Sequence, residues 1–137
     1  HPTVYAEMLS KKMQDAGVNV WLINTGWSGG PYGTGSRIKL KYTRAMITAI
    51  LNGDLDNVEF EQHPIFGLFM PKDCPNVPTE LLDPINTWLQ KGAYVSKAIQ
   101  LAHSFHLNFE KFASEASDQI IEGGPLIDEH HQLNDHV

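Results

Sequence analysis

The apolar positions of this chain change period several times, and each change marks an element. Val4–Met8, Tyr5–Leu9 and Leu9–Met13 recur at four-residue spacing, which predicts an amphipathic helix over 3–16 with Gly17 placed to end it. "NVWLIN", 19–24, is a short, nearly continuous apolar run rich in β-formers, the pattern of a buried strand. Beyond a glycine-rich stretch, "RIKLKY" alternates. Ile38, Leu40 and Tyr42 face one way and Arg37, Lys39 and Lys41 the other, which predicts a half-exposed strand with a basic outer face. Thr43 stands where an N-cap would serve a helix through "RAMITAILN", closed by Gly53. "VEFEQ" and "IFGLFM" read as strands, and 71–84, with four prolines, reads as loop with one helical turn at "TELL". A long helix is expected over 94–112, with Val95, Ile99, Ala102, Phe105, Phe109 and Phe112 on one stripe. A short helix in "SDQIIEGG" should end at Gly123, and the tail "IDEHHQLNDHV" is polar and expected to fray.

Helices mixed with strands make the fold class α/β in the broad sense, mixed α and β. Helix, strand, loop, strand, helix in the first third does not spell a regular βαβ series. At 137 residues the chain suits one domain with a core. No apolar run approaches the roughly 18 residues of a membrane span. A histidine at position 1 leaves room for an earlier start, so the absence of a leader proves little. The single Cys74 has no internal disulfide partner and leaves no cysteine-based zinc site, which favours a reducing compartment.

Charge changes the picture more by its distribution than by its total. The net charge of −6 argues against a nucleic-acid surface. Between Asp15 and Asp54 there is no acidic residue, while Arg37, Lys39, Lys41 and Arg44 all fall there. That island carries +4, so the rest of the chain carries −10. A local positive field in an acidic protein suits a small anion.

The glycine-rich stretch lies inside the island. "GPYGTGSR", Gly30 to Arg37, nearly spells a phosphate-binding loop, but Ser36 stands at the lysine position and an alternating run follows where a helix should. Two readings stay open for it. One is a flexible connection whose glycines supply positive φ; the other is a backbone that comes close to a flat ligand with Arg37 as a charged clamp. Lysines along 37–41 also fit an exposed edge protected from aggregation. Trp21 and Trp27 read as core or loop anchors.

The histidines do not assemble a metal site. His130, His131 and His136 lie in the polar tail beside Asp128, Glu129 and Asp135, and His103 and His106 share a helical face without a third ligand. His63, before a proline, is uninformative. No nucleophile, base and orienter stand in a recognisable pattern.

"WLINTGWSGGPYGTGSRIKLKYTRAMITAILNG" closely resembles the C-terminal part of the ATP-dependent phosphoenolpyruvate carboxykinases. The likeness continues through "IFGLFMP", "NVPTELLDPINTW", the helix ending "NFEKF", and "GGP", about nine-tenths of the chain in one order. The resemblance implies a cytoplasmic lyase, a decarboxylase of gluconeogenesis. It converts oxaloacetate and ATP to phosphoenolpyruvate, ADP and carbon dioxide with Mg2+ and Mn2+. It also implies that residues 1–125 are part of the C-terminal nucleotide-binding lobe and that this chain is a fragment; 126–137, where the likeness ends, are expected from composition to be a disordered polar tail. The family's phosphate loop, manganese ligands and oxaloacetate-binding arginines would lie upstream. The partners are then ATP/ADP, oxaloacetate/phosphoenolpyruvate and the missing N-terminal part, with no nucleic acid and no membrane. What carries over is a contact set for adenine and ribose: Arg37, Ile38 and Thr43. Ser36 departs from the family, where lysine or asparagine often precedes the arginine. The rival class is a non-catalytic, truncated or divergent interaction module in which the glycine stretch is only a linker.

Overall fold

The computed structural model describes residues 1–127. Four helices, two 3-10 turns and four short strands follow in the order α1, β1, β2, α2, β3, β4, two 3-10 turns, α3, α4. α1 runs Pro2–Ala16, with proline in the first turn where its missing N–H is no loss. Gly17 closes it at φ 59°, donating to Met13 and Gln14 carbonyls, as the sequence pattern predicts. The four-residue stripe is present but faces outward: Val4, Tyr5, Met8 and Leu9 are all exposed, and Thr3 is the buried residue of the helix.

The strands form two separate antiparallel ribbons. β1 (Trp27–Ser28) pairs with β2 (Ser36–Arg37), and β3 (Phe60–Gln62) with β4 (Phe69–Pro71). The fold is therefore mixed α and β, without a common sheet among the described residues. Three strand expectations need correction. Residues 19–24 join no sheet. The alternating run 37–42 contributes only Arg37 to a strand, because α2 (Leu40–Leu51) begins inside it. The helical period of Tyr42, Ala45, Met46, Ala49 and Ile50 reaches back into that run and prevails over six residues of alternation. In "IFGLFM", Ile65 to Gly67 form the turn into β4 rather than strand.

Thr43 is accordingly not the N-cap of α2. Lys39 is, in an extended conformation, its carbonyl accepting from Tyr42 and Thr43 N–H at 2.9 and 3.4 Å. Asn52 and Gly53 (φ 75°) close the helix. The proline-rich stretch holds two 3-10 turns, Thr79–Leu81 and Pro84–Thr87, the second capped by Asp83. α3 spans Lys91–Ala113 and buries Tyr94, Ala98 and Ala102. Phe105, on the expected apolar stripe, is half exposed. α4 (Asp118–Glu122) ends before Gly123 as expected.

Among the described residues two small apolar clusters take the place of a single core. The first joins Ile65, Tyr94, Ala98, Ala102 and Ile127, with Phe66, Ile85 and Trp88 packed around it. The second joins Ala49, Leu55, Cys74 and Val77, with Trp21, Met46 and Leu82 around it. The packed chain extends two residues past Pro125: Leu126 N–H donates to the Ile65 carbonyl at 2.8 Å and Ile127 is buried. The rest of the tail, with its three histidines, lies outside the described residues. No described helix is long and apolar enough to cross a membrane.

Candidate functional site

The glycine-rich stretch is an ordered hairpin. Trp27 pairs with Arg37 and Ser28 with Ser36, the Pro31 carbonyl accepts from Thr34 and Gly35 N–H at 3.0 and 2.9 Å, and Ile38 N–H donates to Gly26 at 2.9 Å. Here glycine is required by contact. A Cβ on Gly35 would strike the carbonyl oxygens of Gly30 and Ser28, and one on Gly29 would meet the Thr87 carbonyl at 2.8 Å. The hairpin is also tethered: Ser28 Oγ donates to Thr87 Oγ1 at 2.9 Å, and Thr87 Oγ1 donates to the Pro84 carbonyl at 2.7 Å. Trp27 and Tyr32 meet edge to face at 5.2 Å, an anchor within the hairpin.

Arg37 leaves the hairpin exposed, Ile38 is half-buried, and Thr43 is buried in the first turn of α2. The chain thus brings hairpin exit and helix start together over seven residues. Arg37, Lys39, Lys41 and Arg44 are all exposed, and the ion pairs among the described residues involve none of them. They gather around the hairpin exit and the start of a helix whose first turn holds no acid, instead of lining one strand face. Helix start and side chains add their positive potential there. Among the described residues an open groove of about 290 Å³ is lined by Lys41, Arg44, Thr48, Asn52 and Asn76 and another of about 180 Å³ by Glu61, Lys72 and Asp83; neither includes Arg37, Ile38 or Thr43.

One buried polar cluster was not legible beforehand. His63 is 5% exposed. Its Nδ1 accepts from the Ile65 and Phe66 N–H at 3.1 and 3.2 Å, and its Nε2 lies 2.6 Å from Tyr94 Oη. Two donors at Nδ1 leave that nitrogen without a proton, so the neutral ring carries its hydrogen on Nε2 and donates to Tyr94. Burial lowers the His63 pKa, against an opposing pull from Asp83. Burial, with Asp83, pushes the Tyr94 pKa up to about 12. The readable signal was the order "HPIFG": a ring, a turn-forming proline, and Gly67 at φ 71° donating back to the His63 carbonyl at 2.9 Å. Sealed inside the first cluster, the pair joins the β3–β4 ribbon to α3.

Metal chemistry finds no frame here. Among the described residues no three His, Cys, Asp or Glu side chains are grouped as a ready-made metal cage.

The family model described as Phosphoenolpyruvate carboxykinase matches residues 1–80, more than half of the chain, and the chain belongs to that family. Curated relatives carry the name phosphoenolpyruvate carboxykinase (ATP). One from Flavobacterium johnsoniae is 64% identical over 126 residues, covering 92% of this chain and 24% of the relative. One from Christiangramia forsetii is 60% identical over 126 residues, with the same coverage of 92% and 24%. One from Geobacillus kaustophilus is 56% identical over 125 residues, 90% of this chain and 23% of the relative. The chain spans about a quarter of the length of the curated relatives it matches.

Proposed function

We propose that this chain supplies the adenosine-contacting wall of an ATP-dependent phosphoenolpyruvate carboxykinase, as part of its C-terminal nucleotide-binding lobe. The observation that carries this is the basic hairpin exit: Arg37 is exposed and without an ion-pair partner among the described residues, at the mouth of an ordered hairpin. Its guanidinium offers a planar cation for stacking on adenine and for bonding ribose or phosphate oxygens. Ile38 supplies an apolar edge, and the Thr43 hydroxyl a polar group from the first turn of α2. In the whole enzyme, oxaloacetate and ATP would become phosphoenolpyruvate, ADP and carbon dioxide. Phosphoryl transfer depends on positioning and charge stabilisation, and a wall that fixes the nucleoside contributes the positioning. Phosphates, metal ions and oxaloacetate would be held by polypeptide outside this chain.

An ATP titration followed by NMR tests the wall. Shifts confined to 33–44 and lost in Arg37→Ala are expected. No shifts at millimolar ATP in the folded chain would refute the contacts, and phosphoenolpyruvate formation by this chain alone would refute the division of labour.

A further inference from the structure

Residues 18–24 carry the longest apolar run before the hairpin, yet they belong to no helix, turn or sheet. None of the backbone–backbone hydrogen bonds among the described residues uses an N–H or C=O of this run. Its side chains nevertheless alternate. Val18, Val20 and Leu22 are 55, 55 and 79% exposed. Asn19 is exposed too, so the alternation runs from Val20 to Asn24: Trp21 packs into the second apolar cluster, 5.9 Å from the Phe60 ring, and Ile23 is half-buried, while Val20, Leu22 and Asn24 are exposed. A period of two with one face docked is the habit of a strand. β-branched and aromatic residues in this run favour a sheet. Free backbone groups beside an exposed apolar face form a template for an added strand.

We infer that residues 18–24 are a strand whose sheet is completed by polypeptide outside this chain, the remainder of a family-length carboxykinase. That remainder pairs with the free backbone and covers Val18, Val20 and Leu22. The size of what is absent argues for this occupant: the chain matches only 24% of the Flavobacterium johnsoniae relative, so three-quarters of such a protein stands outside it. Position argues for it too. The run leads straight into Trp27, the first residue of the hairpin, so a sheet formed along it fixes the hairpin's entry. A second copy of this chain would leave that dependence unexplained, and residues 128–137, largely polar, offer little to cover an apolar face. This inference rests on the proposed partnership with the rest of the enzyme and not on the nucleotide contacts.

The test is co-expression of this chain with the unmatched remainder of the Flavobacterium johnsoniae relative, followed by hydrogen exchange on the purified complex. Amides of 18–24 should exchange at least tenfold more slowly in the complex than in the chain alone. Val20→Pro deletes one donor without removing any hydrogen bond of this chain and should abolish complex formation. Val20→Lys keeps the donor but charges the covered face, and should weaken the complex as well, whereas Val20→Ile should retain it. Failure to form a complex, fast exchange of 18–24 within it, or equal protection in the chain alone would each overturn the inference. A complex with 18–24 protected but no response of ATP binding to Arg37→Ala would refute the nucleotide wall and leave this inference standing.

Discussion

Tyr94→Phe isolates one buried hydrogen bond and so gives the sharpest test of the packing described above. The substitution removes a single oxygen and leaves the ring, with its edge-to-face contact to Trp88 at 5.7 Å, in place. No cavity of consequence opens. What remains is a His63 Nε2–H that has lost the acceptor 2.6 Å away and is enclosed by the first cluster. The ring cannot turn to satisfy itself, because Nδ1 is held by the Ile65 and Phe66 amides. A buried donor stripped of its partner costs about 1–3 kcal/mol, which sets the expected loss. Truncation to Tyr94→Ala should cost more, about 3–5 kcal/mol, since packing goes as well. Urea unfolding followed by far-ultraviolet circular dichroism reads both, and ring-nitrogen shifts of His63 report the tautomer directly. In a His63→Ala background, Tyr94→Phe should lose most of its effect, because the partners share one interaction. A Tyr94→Phe variant as stable as the parent, or a His63 protonated on Nδ1, would refute the reasoning.

Other expectations follow from the same structure. Burial holds the folded His63 pKa below 6.5, so the unfolded chain takes up the proton first as pH falls. The associated stability is full above about pH 6.5 and is lost as pH drops through that value and then through the lower folded one; thermal melts from pH 8 to pH 5 check it. Tyr94 acts at the other end: its raised pKa makes stability fall as pH climbs from 10 toward about 12, and Tyr94→Phe should flatten that limb. Cys74 is buried and free, and burial, with Asp73 and Asp54, raises its pKa. Its alkylation by iodoacetamide should be slow until urea unfolds the chain. Gly35→Ala should disrupt the hairpin through its clash with the Gly30 and Ser28 carbonyls, seen as loss of the Ile38–Gly26 hydrogen bond in amide exchange.

The helices were largely legible in the sequence because local spacing and end signals decide them: Gly17, Gly53 and Gly123 each sit just past a helix end. The strands were harder. A run such as 19–24 has the composition of a buried strand, but pairing depends on a partner that local pattern cannot supply. At 37–42 two periods overlap, and the helical one wins because it continues for two more turns. The stripe of α1 was legible as a stripe, but its exposure was not, since periodicity shows that a face is apolar without showing what covers it. Arg37 stood out because it follows glycines in an acid-free island. His63 did not, since its role comes from Tyr94, 31 residues further along.

The tether between Ser28 and Thr87 has a mechanical consequence. It ties the Arg37 hairpin to the second 3-10 turn, whose Ile85 and neighbouring Trp88 pack on the first cluster. Thr43 rides on α2, whose Ala45, Met46 and Ala49 belong to the second. The seven residues from Arg37 to Thr43 therefore cross a seam between two small packed bodies. If the proposed contacts of Arg37 and Thr43 with a nucleoside hold, the bound molecule would act as a strut across that seam, and the stiffness of the joint would become a gauge of occupancy.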